Sequence, residues 1–190
     1  MEEIGRRMNG QGSTLTIGLH NTTRVKRKEL LVKIIAYCLM PNHYYLLLRQ
    51  VRDGGIVRFM QKLGTGYTMY FNERYKRNGV LFQGKFKSIF VDKEKYFLTL
   101  LNYIHLNPVE LGEPDWKEKG IKDWQEVHKF LENYRWSSYL DYIGIRNFPS
   151  IIDTTLVDEY FAQTNEYKNY TLQWLKNGNG TEPEKYLTFE

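Results

Sequence analysis

The stretch Tyr37-Cys38-Leu39-Met40-Pro41-Asn42-His43-Tyr44-Tyr45-Leu46-Leu47-Leu48 decides the fold. A β-rich run begins at Lys33, meets a Pro-Asn break after Met40, and resumes as a second β-rich run that ends at Leu48. Proline cannot donate to a β-ladder and presets a turn, and asparagine tolerates turn geometry. The stretch therefore predicts an antiparallel hairpin.

The second strand of this hairpin begins with a polar pair. Alternate side chains of a strand share a face, so His43 and Tyr45 are expected to project together, while Tyr44 and Leu46 point the other way. A polar pair at the start of a buried strand is unusual if the strand only contributes to the hydrophobic core. It marks a candidate site.

Hydrophobic periodicity predicts the remaining elements. A first strand is expected over 13–19, an amphipathic helix from about 55 to 75, and a further strand over 82–92. A second helix is expected over about 93–106, capped by Asp92 at its start and ended by Pro108. A loop over 110–120 and a short helix over 122–133 follow, and helical spacing returns after Asp153. We expect three regions: a disordered N-terminus over 1–12, one domain over 13–145, and an acidic, helical extension over 146–190.

Composition indicates a single protein domain with an uneven charge distribution. The chain has 190 residues and a net charge of +5, and 15% of its residues are aromatic. Between Arg49 and Lys95 there are eleven Lys/Arg against four Asp/Glu, a local charge of +7, whereas the part from Pro149 onward has three against seven, a local charge of −4. A basic, aromatic middle suits single-stranded nucleic acid, because cations follow phosphates and rings stack on bases. The alternative is a solvated charged surface over an aromatic core.

Other features exclude several protein classes. Cys38 is the single cysteine, so no disulfide framework exists, and it is expected to pack in an apolar strand. No apolar run reaches membrane-spanning length, and the N-terminus lacks a signal-peptide core. These features predict a soluble cytoplasmic protein without a membrane partner.

Three motifs in order resemble those of the REP-associated tyrosine transposases, which belong to the HUH superfamily of single-strand DNA nucleases. They are Met-Pro-Asn-His-x-x-Leu-Leu-Leu at 40–48, Leu-Phe-Gln-Gly-Lys-Phe-Lys-Ser at 81–88 and Tyr-Ile-His-Leu-Asn-Pro-Val at 103–109, followed by Tyr-Arg-Trp-Ser-Ser-Tyr at 134–139. The resemblance covers about 33–145. It implies an α+β fold of the ferredoxin-like, RRM-like HUH type, a central antiparallel sheet with helices packed on one face, and the alternation of strands and helices allows this fold.

The resemblance implies that Tyr103 is the catalytic nucleophile. A phenol that attacks a DNA phosphate leaves a phosphotyrosine link, which conserves the bond energy for rejoining. Because the free phenol has a pKa near 10, such a reaction needs help, usually from a divalent metal that polarises the phosphate. The alternative for Tyr103 is a half-buried structural tyrosine.

The resemblance also implies a metal site, and the sequence departs from the motif there. His43 matches the first metal-ligating histidine, Tyr45 stands where the second histidine is expected, and Asn107 matches a third polar ligand. A phenolate is a poor match for Mg²⁺, so binding of Mg²⁺ or Mn²⁺ should be weak or dependent on DNA. Asn107 could instead end the helix. His105 lies about 160° from Asn107 around the helix and is left out of the site.

DNA contacts are expected along the basic middle of the chain. By resemblance the contacting strand carries Gln83, Lys85 and Lys87, and Arg74, Lys76 and Arg77 extend the same belt. For the lysines, a solvated strand face is an equally good interpretation.

Two functions are open at this stage. The first is a transposase that binds single-stranded DNA hairpin or repeat ends, as a monomer or homodimer, and cleaves and rejoins them through a 5′-phosphotyrosine intermediate. The alternative is a catalytically inactive descendant that binds single-stranded nucleic acid. Tyr45 and the short segment before the hairpin favour the alternative, whereas Tyr103 and Asn107 favour the transposase.

Overall fold

The structure is a computed structural model that describes residues 30–176. It contains two strands, β1 (Val32–Leu39) and β2 (Tyr44–Gln50), which form one antiparallel sheet. The helices are α1 (Gly55–Tyr75), α2 (Glu94–Leu106), α3 (Val109–Gly112), α4 (Trp116–Lys119), α5 (Trp124–Asn133), α6 (Tyr139–Tyr142), α7 (Thr155–Asp158) and α8 (Thr164–Lys176). The predicted α+β class is confirmed. The predicted strand over 13–19 and the disordered segment over 1–12 lie outside the described residues.

The hairpin is confirmed. Leu39 pairs with Tyr44 and Cys38 with Tyr45, and the turn is closed by a bond from the amide of Met40 to the carbonyl of His43, 2.9 Å. The register shifts between Ile34 and Ala36, and the Tyr142 hydroxyl donates to the Ile35 carbonyl at 2.7 Å. A bulge removes hydrogen bonds from the ladder. The Tyr142 hydroxyl therefore pairs with a buried backbone carbonyl that would otherwise have no hydrogen-bond partner.

The second edge of β1 is covered by chain from the C-terminal half. The amide of Leu39 donates to the Trp136 carbonyl, that of Ser138 to Tyr37, and that of Asp153 to Ile34, at 2.8, 3.0 and 2.7 Å. An uncovered strand edge invites pairing with other chains. The Tyr-Arg-Trp-Ser-Ser-Tyr motif therefore has a structural role, because Trp136 and Ser138 form hydrogen bonds with the exposed edge of β1.

Helix α1 follows its predicted bounds, and the glycines at 64 and 66 do not break it. It begins where the chain passes close to β1: a side chain on Gly55 would collide with the Leu31 carbonyl, so only glycine fits there. Helix α2 is buried over its whole second half, from Leu101 to Leu106. Its apolar face meets β1 and the C-terminal helices in one core.

Three predictions for the middle of the chain are wrong. Residues 82–92 form no strand, and most of their side chains are exposed, Phe90 by 85%. Alternation stabilises a strand only where one face is buried and a neighbour accepts the ladder bonds, and within 30–176 this segment has neither. Lys93, not Asp92, stands at the start of α2, and no side chain caps it. The loop predicted over 110–120 contains the short helices α3 and α4.

No helix within residues 30–176 combines the length and apolar character needed to cross a membrane.

Candidate functional site

Tyr103 lies on the buried face of α2, opposite the start of β2. Its side chain is 7% exposed, and its hydroxyl lies 3.2 Å from the hydroxyl of Tyr45, with which it shares a hydrogen bond. The two rings meet nearly edge to face, with centroids 5.4 Å apart. The two residues that the motifs singled out are therefore in direct contact, although 58 positions separate them.

His43 continues this row of rings toward solvent. It lies exposed in the hairpin turn, where its Nδ1 bonds to Asn42 Oδ1 at 2.6 Å, and its ring stands edge-on to Tyr45 with centroids 5.1 Å apart. The prediction that His43 and Tyr45 project together is confirmed. Because Nδ1 is engaged, Nε2 is the nitrogen that could bind a ligand.

Asn107 lies at the end of α2, one turn after Tyr103, and is almost fully buried. Its backbone amide and its side-chain amide nitrogen both donate to the Tyr103 carbonyl, at 3.1 and 3.0 Å. The side chain thus stabilises the end of the helix. Its carbonyl oxygen, Oδ1, is the atom that could bind a metal ion or another ligand.

The predicted DNA-binding residues lie on a separate surface, which we call the basic belt: Arg74, Lys76, Arg77, Gln83, Lys85 and Lys87, all exposed. It runs from the end of α1 into the irregular segment 82–92. Arg77 stands over the Phe71 ring at 5.6 Å and donates to the Val80 carbonyl at 3.1 Å, which fixes the turn after α1. Phe82 meets Tyr44 edge to face, with centroids 5.9 Å apart, so the belt adjoins the strand that carries Tyr45.

A comparison with protein-family models gives one match, described as Transposase IS200 like, over residues 6–107. The matched range holds more than half of the chain and includes His43, Tyr45, Tyr103 and Asn107. The chain belongs to the IS200-like transposase family. Searches of curated proteins and of solved structures found no match. Family membership indicates a transposition-related function on DNA, and the REP-associated subtype stays a prediction from the motifs.

In this IS200-like transposase the residues at the implied metal position fit a divalent ion poorly. Within 30–176 no three His, Cys, Asp or Glu side chains come together in a way that could hold a metal. Burial raises the pKa of Tyr45 well above its usual range, and the hydrogen bond to Tyr103 and the negative charge of Glu110 raise it further. Tyr45 therefore stays a neutral phenol, which is a weak ligand for Mg²⁺. His43 and Asn107 remain as neutral donors.

Two charged residues near Tyr103 were missed in the sequence. The Lys117 ammonium lies 5.1 Å from the centre of the Tyr103 ring and 2.6 Å from Glu110 Oε1. They lie in the stretch 110–120, whose glycine, proline and charged residues are typical of a surface loop. Spacing could not reveal them, because the short helices α3 and α4 bring them back to Tyr103.

His105 lies away from the site, as its helical angle predicted. It is fully buried, with Nδ1 2.5 Å from the Tyr167 hydroxyl and Nε2 2.7 Å from Ser138 Oγ. Ser138 Oγ also accepts from the Tyr37 amide at 2.9 Å. This network fixes α2, and with it Tyr103, against β1 and α8. Trp136 is half exposed, and the Arg135 guanidinium lies over its ring.

Proposed function

We propose that this protein binds single-stranded DNA with hairpin or repeat ends, in the cytoplasm, through the basic belt and the hairpin beside it. The contact between Phe82 and Tyr44 carries the proposal, because it joins the belt to the strand of Tyr45. Because Tyr44 and Tyr45 point to opposite faces of β2, a strand held along the belt would have to pass around the hairpin turn to reach the row of His43, Tyr45 and Tyr103. Tyr45 and Tyr103 lie in the range matched by the family model.

Aromatic side chains next to the belt suit unpaired bases. Tyr67, Tyr70 and Tyr75 on α1 and Phe86 in the segment after it are each at least a third exposed. Base–aromatic stacking contributes about 1–3 kcal/mol per base and needs a free ring face and an unpaired base. Lysine and arginine between the rings would hold the phosphates. This combination favours single strands over duplex.

Two roles fit a protein that brings DNA to Tyr103, one with cleavage of the DNA and one without. In the first, the Tyr103 oxygen attacks a backbone phosphate, the bond to the 3′ oxygen breaks, and that oxygen takes a proton and leaves as a hydroxyl. The phosphate stays linked to Tyr103 as a 5′-phosphotyrosine, ready for rejoining. The contact between Tyr103 and Tyr45 favours this role, since it brings the two motif residues together.

In the second, the protein binds DNA without cutting it. The observation that favours this role is that Tyr45 stands where the motif expects a metal-binding histidine, and burial raises the pKa of its phenol. A phenol nucleophile with no strong electrophilic help reacts slowly, because its free pKa is about 10. The geometry therefore supports binding more directly than cleavage.

The binding proposal is tested by fluorescence anisotropy with a labelled single-stranded hairpin. The double substitution Lys85→Ala with Lys87→Ala should weaken binding at every sequence. It should also lower the slope of log K against log salt by about 0.7 per lost phosphate contact. The matched control is Lys122→Ala with Lys129→Ala, two exposed lysines at α5. Equal effects of the two double variants would show that only overall charge matters, and the belt would lose its assignment.

A further inference from the structure

Trp136 is the most exposed of the four tryptophans, and it lies beside the hairpin turn. It is 51% exposed, whereas Trp116 is 4% exposed and the other two are partly buried. Its carbonyl accepts the amide of Leu39 at 2.8 Å, so it is anchored to the last residue of β1. A single exposed ring is ordinary on a protein surface, and its meaning depends on its neighbours.

Trp136 lies on the same side of the sheet as Leu39 and Tyr44. Ser137 bridges Cys38, and both are buried, whereas Leu39 is 40% exposed like the tryptophan beside it. Leu39 pairs in turn with Tyr44, the first residue of β2, and residues opposite each other across strands share a face. Because neighbouring strands are about 4.8 Å apart, Trp136 and Tyr44 are about 10 Å apart. We call the surface of Trp136, Leu39 and Tyr44 the outer face.

The outer face continues into the basic belt. The Tyr44 ring meets the Phe82 ring, and Phe82 lies 6.2 Å from Tyr67 of α1 between ring centroids. Both Phe82 and Tyr67 are more than a third exposed, and Phe82 directly precedes Gln83 of the belt. A chain of exposed side chains therefore runs from the belt across the sheet to Trp136.

Arg135 adds a positive charge at the far end of the outer face. Its guanidinium carbon lies 5.2 Å from the centre of the Trp136 ring and 5.4 Å from that of the Phe148 ring, which is within cation–π distance. Its side chain is exposed, and none of the ion pairs within residues 30–176 includes it. A nucleotide offers both an anionic phosphate for such a cation and a flat base for the ring.

Hydrogen bonds hold the backbone of this cluster in place. The Asn147 side-chain amide donates to the carbonyls of Arg135 and Ser137, at 2.7 and 3.3 Å. The backbone amides of Asn147 and Phe148 donate to the Asp141 carboxylate, at 2.9 and 3.1 Å. A surface that is already fixed loses little conformational freedom when a ligand arrives, so more of the stacking energy remains as affinity.

We propose that Trp136 stacks an unpaired base of single-stranded DNA and that Arg135 binds the phosphate next to it, so that the outer face extends the basic belt to the hairpin turn. This inference rests on the proposed function, because it gives the strand on the belt a second place of contact. The unpaired charge of Arg135 and the continuity with the belt favour nucleic acid over a protein partner. A strand held there lies beside the turn, which it has to pass to reach His43.

The chain offers a matched control for each of the two residues. Trp124, at the start of α5, is partly buried and is not part of the outer face. Arg58 is exposed in the first turn of α1, which begins beside Leu31 at the other end of β1. Trp136→Leu and Trp124→Leu each remove one indole, and Arg135→Met and Arg58→Met each remove one guanidinium. Differences within each pair therefore report position.

Anisotropy of two labelled probes, oligothymidine and an abasic oligomer of the same length, measures the affinity of the full chain. Trp136→Leu should weaken binding of oligothymidine about fivefold or more and leave the abasic oligomer unchanged, because only the first has bases to stack. Arg135→Met should weaken binding of both probes and lower the salt slope by about 0.7. Each control should change either affinity less than about twofold. Equal effects within each pair would overturn the proposal, and circular dichroism confirms that each variant is folded.

Tryptophan fluorescence separates this inference from the proposed function. A base stacked on an indole quenches its emission, so saturating oligothymidine should quench the wild type and Trp124→Leu, and quench Trp136→Leu much less. If the wild type binds oligothymidine and Trp136→Leu is quenched to the same extent, the outer face is not a contact, and this inference alone falls. If the wild type binds no single-stranded DNA, the proposed function falls and this inference falls with it.

Discussion

The buried His105 makes the free energy of unfolding depend on pH in a way that can be worked out from the structure. Burial lowers its pKa to about 3, whereas an unfolded chain has a histidine pKa of about 6.5. At pH values between these two pKa values, the unfolded state binds a proton at His105 and the folded state does not. The stability is therefore fully present above pH 6.5 and is lost as the pH falls toward 3.

The magnitude follows from this difference in pKa. Between pH 7.5 and pH 5.0, His105 alone should lower the free energy of unfolding by about 2 kcal/mol, since each pH unit below 6.5 costs about 1.4 kcal/mol. The neutral ring also suits its neighbours. If Ser138 donates its one proton to the Tyr37 carbonyl, at 3.2 Å, then Nε2–H donates to Ser138 and the Tyr167 hydroxyl donates to Nδ1. A second ring proton would face the Tyr167 hydroxyl and break this order.

Urea unfolding of the wild type, His105→Gln and His128→Gln at pH 7.5 and 5.0 measures the effect. His128 is partly exposed beside Glu132 and serves as the matched histidine. His105→Gln should lose about 2 kcal/mol of the pH dependence, while His128→Gln should keep nearly all of it. If His105→Gln does not fold, the wild-type imidazole signal decides, and it should not titrate above about pH 4. A His105 signal that titrates near pH 6.5 would refute this reasoning.

Two further predictions concern the chemistry of the site. Tyr45→His restores the histidine pair and should strengthen Mn²⁺ binding, measured by calorimetry with and without single-stranded DNA; tight binding by the wild type alone would mean that Tyr45 is a better ligand than its protonation suggests. Tyr103→Phe removes one hydroxyl and should abolish any denaturation-resistant protein–DNA adduct formed with Mn²⁺, while binding and circular dichroism stay unchanged; an adduct that persists in this variant would exclude Tyr103 as the nucleophile.

The local elements of the fold could be predicted because their signals lie within a few residues. The Pro-Asn break between two β-rich runs fixes the hairpin, and the apolar spacing of 55–75 fixes α1 at its bounds. The alternation over 82–92 is just as local, but a strand also needs a neighbour, and a single segment carries no information about that neighbour. Sequence patterns therefore predicted the hairpin and α1, whose signals are complete within one segment, and failed over 82–92, where a strand depends on a partner.

The site could be predicted only as far as its motifs reach. His43, Tyr45 and Tyr103 were found as motif positions, and the structure brings them into one row. Lys117 lies outside every motif and meets Tyr103 only because the chain reverses after α2. The partners of His105 come likewise from α8 and from the residues before α6. Such contacts depend on tertiary packing, which spacing along one segment does not encode.

The most direct test of single-stranded DNA binding compares three labelled DNAs of matched length and base composition. These are the hairpin with unpaired ends, the unstructured single strand and the fully paired duplex, each titrated by anisotropy at 100 mM salt with the wild type and with the Lys85→Ala, Lys87→Ala variant. We expect the hairpin to bind tightest, the duplex at least tenfold more weakly, and the variant to lose affinity for the hairpin. Equal affinity for hairpin and duplex, unchanged in the variant, would contradict a single-strand-binding belt.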